Sequence, residues 1–217
     1  MTFRQRAEQI GANLQGAIVK HWDGRQSILE MQREGGRNWR QMEWIGFYFQ
    51  FLCESVLPDL LQMPGPKYGN VTFDGFLETP WDFKAHAMNT SSHQIIVNDS
   101  EATAAAIGQY GAVGLILALG KVEYNDEARS FQAWHSNLKG GKSKYELERI
   151  KRGAWSRLRK VSFDLQQISF IRLTDQALVK CGSFQADFRN ADGSARRPKV
   201  LIDLEELEEE TVHFLEF

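Results

Sequence analysis

Apolar residues at four-residue spacing, Ile10, Leu14 and Ile18, predict a helix over residues 3–20. "DGR" (23–25) reads as a turn, a short helix is expected over 26–33, and "EGGR" (34–37) breaks it. Asn38 has the side chain of a helix cap, so the apolar run behind it is expected to be a helix from about 39 to 57, stopped by Pro58. "MPGPKYGN" (63–70) separates this helical part from a strand-like one. "VTFDGF" (71–76) and "WDFKAHAM" (81–88) read as a hairpin joined near "LETP", and "QIIVN" (94–98) as a third strand. "DSEATAAAIGQYG" (99–111) predicts an Ala-rich helix with an acidic cap and a closing glycine, followed by the buried strand "AVGLILAL" (112–119). Further on, residues 142–160 suggest a helix, "ISFIRL" (168–173) a strand, "ADGS" (191–194) a turn, and the acidic tail from 203 a helix.

Helices, then strands, then helix–strand alternation point to an α/β (α+β) fold with a central mixed β-sheet flanked by helices. A single domain over 1–217 is expected, with N-terminal helices in 1–60, an α/β core in 61–173 and a C-terminal extension in 174–217. There is no internal repeat and no low-complexity linker.

Composition adds little until charge is mapped along the chain. The 217 residues are 42% hydrophobic and 25% charged, with a net charge of −2. Between Lys139 and Lys160, however, nine Lys/Arg face two Glu, while residues 201–217 hold seven acids and no Lys/Arg. A basic segment on a near-neutral protein suggests a polyanion partner at one face. Cys53 and Cys181 form neither a disulfide framework nor a metal pattern, and both sit in apolar surroundings, as buried thiols of a reduced compartment would. The N-terminus is charged where a leader needs an apolar run, and "AVGLILAL" is too short to span a bilayer, so a cytoplasmic, non-membrane protein is expected.

The chemically informative stretch is "TPWDFKAHAMN" (79–89). Asp82 and Lys84 are two apart and share one side of a strand. If the hairpin strands pair antiparallel with residue numbers summing to 156, Asp74 faces Asp82 and Thr72 faces Lys84. That register needs a three- or five-residue loop; an even-length loop puts Asp74 on the other face unless Gly75 forms a bulge. Directly opposed side chains have Cβ atoms ~5 Å apart, so the two carboxylates need positive charge between them. A divalent cation plus the Lys84 ammonium would supply it. Phosphodiester hydrolysis uses that arrangement, because a cation on hard oxygen ligands acidifies water and neutralises developing charge. The Phe83 side chain is expected in the core, with its backbone carbonyl a further metal ligand. The bland alternative is a surface ion pair beside turn chemistry.

At "FDG…WDFK" the sequence resembles the PD-(D/E)xK nuclease superfamily, over roughly residues 38–120. Asp74 matches the first acid and Asp82-Phe83-Lys84 the (D/E)xK element, while Phe73 stands where the signature has proline. The preceding helix contributes a further acid in many members, best matched here by Glu43 in "WRQMEW". Size and composition are similar to a compact type II restriction endonuclease. The resemblance implies a restriction-endonuclease-like core, Mg2+ as cofactor, double-stranded DNA as substrate and a homodimer cutting both strands. In that scheme Asp74, Asp82, Glu43 and the Phe83 carbonyl hold metal, Lys84 positions and activates water, and Glu43 helps bind metal or water.

Other residues carry weaker expectations. Glu43, Gln50 and Glu54 recur along one helix face. Lys139, Lys142, Lys144, Arg149, Arg152, Arg157 and Lys160 are the candidate DNA-backbone contacts, with Trp155 among them and "LKGGKSKY" letting backbone approach a phosphate. His86 shares the face of Asp82 and Lys84; His93 and His135 have no meaningful metal-ligand spacing. Glu78 and Glu123 are spare acids, and Leu204, Leu207 and Phe214 are packing residues of the tail. Competing functions are a structure-specific repair or recombination nuclease of the same fold, and a non-catalytic DNA-binding protein.

Overall fold

The computed structural model describes all residues except 126, 143, 154–156, 186–196, 208–211 and 217. In chain order the elements are α1 (Phe3–Leu14), β1 (His21–Asp23), α2 (Gly24–Arg33), a 3-10 turn (Arg37–Arg40), α3 (Trp44–Val56), β2 (Lys67–Tyr68), β3 (Val71–Thr72), β4 (Gly75–Leu77), β5 (Thr79–Ala87) and β6 (Gln94–Asp99). They continue with α4 (Ser100–Tyr110), β7 (Val113–Tyr124), α5 (Ser130–Leu138), α6 (Lys144–Lys151), β8 (Lys160–Leu173), α7 (Asp175–Cys181), β9 (Gly182–Gln185), β10 (Lys199–Asp203) and β11 (Val212–Glu216).

The expected fold class is present: a mixed central sheet with helices on its faces. Its strand order is β1-β8-β7-β5-β4, with β11 also pairing β8. β5 and β7 are parallel, as their crossover through α4 requires, and the other pairs are antiparallel. Strand alternation splits the apolar residues of β7. Ile116, Ala118 and Val122 face one cluster with the residues of α1, α2 and α3. Val113, Leu115 and Leu117 face a second, shared with α4 and the small sheet β6-β10-β9. Trp81 stacks on Phe3 at 5.2 Å, and Gly114 on β7 leaves room for it: a Cβ there would lie 2.3 Å from the indole.

Several expected elements hold. Asp99 caps α4 by accepting from the Glu101 and Ala102 N–H groups, and Gly111 closes it at φ 76°. β4 and β5 pair with residue numbers summing to 156: Gly75 with Trp81, Phe76 with Pro80, Leu77 with Thr79. The turn is tighter than expected, with Glu78 alone between paired residues at φ 57°.

Others do not. α1 stops at Leu14, before Ile18, and "DGR" starts α2, with Asp23 accepting from the Gln26 N–H. The helix expected from residue 39 begins only at Trp44, because residues 37–40 form a separate 3-10 turn; Asn38 caps nothing. The expected strand 71–76 is broken at Asp74. Phe73 donates to the Pro66 carbonyl and accepts from Gly65 N–H, so 71–73 belongs to the preceding hairpin. Thr72 accordingly pairs with Lys67, not Lys84. The helix expected over 142–160 is the short α6, and Lys160 already belongs to β8. Within the tail, residues 212–216 are strand rather than helix, since they find β8 as a pairing partner. "ADGS" and Trp155 lie outside the described residues. Among the described residues no helix is long and apolar enough to cross a membrane.

Candidate active site

Beyond Trp81, β5 loses β4 as a neighbour on one side while β7 continues to pair with it through Ala87. Residues 82–87 therefore have a free edge. Along it lies a cleft of about 380 Å³, lined by Glu43, Phe47 and Gln50 from the start of α3, by Asp74, Lys84 and His86, and by Lys160 at the start of β8. The cleft thus brings together Asp74, Phe83, Lys84, Glu43 and Lys160 of the sequence-predicted residues, whereas the buried Asp82 does not line it.

Asp74 sits where the chain changes hairpin partner, so its side chain is free to satisfy the edge of β5. Its Oδ2 accepts from the Phe83 N–H at 2.7 Å. Phe83 itself points into the apolar cluster beside α3 and is 3% exposed, as expected. On the opposite face of β5, Asp82 is 2% exposed and Lys84 brings its Nζ to 2.7 Å from Asp82 Oδ2. That approach is too oblique for a hydrogen bond, and Asp82 Oδ2 is left without one. A buried carboxylate oxygen with one close ion pair and no hydrogen bond keeps unsatisfied lone pairs, which is costly.

The electrostatics reflect two acids sharing one place. Burial, then the charge of Asp82, pushes the Asp74 carboxyl from its ordinary 3.8 up to about 8, against the pull of Lys84 and the Phe83 N–H. The two carboxyls are close enough for Asp74 to feel the charge of Asp82 strongly. For Lys84, burial works against the ammonium but is outweighed by Asp82 and Asp74, so its pKa is raised and the cation is firmly held.

These features fit a divalent cation. An orphaned carboxylate oxygen beside a second carboxyl whose pKa is raised offers hard oxygen ligands that a divalent cation would satisfy, while the Lys84 ammonium stands beside them as a separate charge. Among the described residues no group of three or more His, Cys, Asp and Glu side chains converges on one point. Two carboxylates are a common protein contribution to a Mg2+ site, with water and substrate oxygens completing the shell.

The remaining candidates separate clearly. Glu43 precedes α3 rather than riding on it, is mostly exposed, and pairs with Lys160 at 3.9 Å. Gln50 lines the cleft and donates to Glu54 at 2.8 Å, while Glu54 borders a smaller cavity of about 60 Å³. His86 is held by the Ser92 carbonyl at 2.9 Å, and burial lowers its pKa. His93 pairs with Glu205 away from the cleft. Glu78 accepts from Arg6 at 2.5 Å at the hairpin turn, and Glu123 from the Ser162 hydroxyl at 3.1 Å; neither lines the cleft. Of the basic residues, Lys139 follows α5, Lys142 lies in the loop after it, Lys144 and Arg149 lie on α6, and Arg152 and Arg157 flank its end. Only Lys160 of that set lines the cleft.

His135 is structural. It is 6% exposed and its Nε2–H donates to the Trp39 carbonyl at 2.9 Å, tying α5 to the 3-10 turn. Burial drives its pKa from 6.5 down to about 4. The folded state thus keeps this ring neutral where the unfolded chain protonates it. Its stability contribution is full above pH 6.5 and is lost as pH falls toward 4, at ~1.4 kcal/mol per pH unit, up to ~3 kcal/mol. His135→Gln, which keeps an N–H donor, is expected to flatten urea-measured stability in that window. An unchanged slope would show that the ring does not titrate with folding.

Sequence reasoning missed Arg40 and Arg159 beside the cleft's Glu43–Lys160 end. Their charges are near those of Lys139 and Glu43, respectively. The signal was weak, because residues 40 and 159 come near Lys139 only in the folded chain. No protein-family model matches the chain, and no curated protein matches its sequence. Among solved structures it is similar to the restriction endonuclease BglI, in a crystal structure bound to its DNA recognition sequence. That likeness has 11% identity and a TM-score of 0.47, over 99% of this chain and 88% of the other.

Proposed function

We propose that the protein is a Mg2+-dependent endonuclease hydrolysing phosphodiester bonds of double-stranded DNA, of the type II site-specific class, acting as a homodimer. One observation supports the reading: Asp74 bonds the Phe83 N–H at the edge of β5, Lys84 pairs with the buried Asp82 on the same strand, and Asp74 and Lys84 both line the open cleft. Asp74 and Asp82 would hold the metal, with the Phe83 carbonyl as a third ligand, and Glu43 would assist metal or water from the cleft wall. Bound Mg2+ supplies positive charge against the phosphorane-like transition state and acidifies water near it.

The chain's own residues do the rest. Asp82 fixes the Lys84 ammonium by charge, and the ammonium holds the attacking water in line and stabilises hydroxide. The Phe83 N–H keeps Asp74 oriented. The attacking water gives one proton to solvent as its oxygen bonds to phosphorus, the bond to the leaving oxygen breaks, and that oxygen takes a proton from solvent.

The test is incubation with unmethylated phage DNA and Mg2+, followed by gel electrophoresis. Discrete fragments are the expected result. A smear would indicate a nuclease without sequence specificity, cutting confined to flaps or ends a repair enzyme, and intact DNA under all metal conditions a binding protein only.

A further inference from the structure

Three segments distant in sequence meet at the Glu43–Lys160 end of the cleft. The 3-10 turn and the residues after it bring Trp39, Arg40 and Met42; the end of α5 brings His135 and Lys139; the start of β8 brings Arg159 and Lys160. The junction is tightly made. His135 holds the Trp39 carbonyl, Arg159 reaches the Met42 sulfur, Trp44 donates to the Lys160 carbonyl at 2.8 Å, and Asn125 N–H donates to the Arg159 carbonyl at 2.7 Å. Arg40 lies over the Trp39 ring at 4.7 Å, which fixes an otherwise flexible guanidinium.

The charges gathered there are mostly of one sign. Arg40 and Arg159 each lie within the field of Lys139, and Arg129 and Arg149 within that of Arg159. The acids facing the group are Glu43 and Glu146. Burial is the main cause that lowers the pKa of both Lys139 and Arg159; Glu43 and Glu146 oppose it and the like charges add to it. Folding has thus packed cations against one another in a half-buried corner, at an electrostatic cost that a polyanion would relieve. Lys160 links this corner to the cleft, where Lys84 waits.

We propose that Arg40, Lys139 and Arg159 form a phosphate-binding shoulder that seats the nucleic-acid backbone and leads it into the cleft. On seating, Lys160 exchanges Glu43 for a phosphate. The shoulder differs from the broad basic segment read from sequence. It enlists Arg40 from the opposite end of the chain, and it assigns no phosphate contact to Lys142, Lys144, Arg152 or Arg157. The proposal rests on the DNA-endonuclease reading for the nature of the polyanion.

The test measures binding of a short fluorescent duplex by anisotropy, in Ca2+ without Mg2+, across a salt series. Proteins compared are the wild type, Arg40→Gln, Lys139→Gln, Arg159→Gln, the triple variant and, as control, the exposed Arg172→Gln. Each shoulder variant is expected to reduce the log–log salt slope by about 1, and the triple by about 2–3, with the control unchanged. Arg159 is half-buried, so Arg40→Gln and Lys139→Gln keep the test decisive if Arg159→Gln misfolds. A wild-type slope in the triple variant, or no duplex binding by the wild type, would overturn the shoulder. Reduced slopes in a protein that cleaves nothing would uphold the shoulder and refute the endonuclease reading. Unchanged slopes in a protein that cleaves would do the reverse.

Discussion

Lys84→Ala is expected to lower Mg2+-dependent DNA cleavage by at least ~10³-fold while leaving Ca2+-supported duplex binding within a few-fold of wild type. The basis is position. Lys84 Nζ stands 2.7 Å from a buried carboxylate and lines the cleft, where its charge can stabilise hydroxide. Binding of duplex, by contrast, draws on many cations elsewhere. Stability is not expected to fall with activity in simple proportion. Removing the amine leaves Asp82 buried without a counter-charge, which costs stability, so folding must be verified by thermal melting. Lys84→Gln is the useful companion, because it keeps bulk and a hydrogen-bond donor while removing the charge. Full cleavage by either variant would sink the assignment of Lys84.

Asp74→Asn is expected to split stability from function. Metal-free wild-type protein holds a proton on Asp74 between about pH 4 and pH 8, where the unfolded chain has lost it. The sign follows from proton counts: the native state binds more protons, so stability falls as pH rises through that window. Asparagine keeps an oxygen for the Phe83 N–H and removes the like-charge pair. The variant should therefore be more stable than wild type above pH 8 by about 1–3 kcal/mol, and its stability should vary less between pH 4 and 8. Cleavage should vanish with it. A destabilised variant at high pH would mean that Asp74 and Asp82 do not repel one another.

The hairpin was legible because alternation and a short connection restrict its register. The register summing to 156 was one of the alternatives that alternation left open, and the structure adopts it with a one-residue turn at Glu78. α4 was legible because Asp99 and Gly111 are local signals. What escaped depended on distant partners. His21–Asp23 is too short to announce a strand and exists because β8 pairs with it. The acidic tail has helical composition, but β8 offers an edge, and pairing outweighs propensity. Lys160 looks like the end of a basic helix until Tyr124 pairs with it. The same applies to the site. Asp74, Asp82 and Lys84 were visible as a motif, whereas the Phe83 N–H contact and the Glu43–Lys160 pair required the break at Asp74 and the start of β8. Arg40 and Arg159, 119 positions apart by their numbering, could not be linked by spacing.

The claim on which the function depends is that Asp74 and Asp82 together hold a divalent cation. Calorimetric titration of Mn2+ into metal-free protein near neutral pH tests it without requiring a substrate. The account predicts binding to the wild type accompanied by proton release, as Asp74 gives up its proton, and loss of that binding in both Asp74→Asn and Asp82→Asn. Mn2+ binding of wild-type strength in both variants, or none in the wild type, would contradict it.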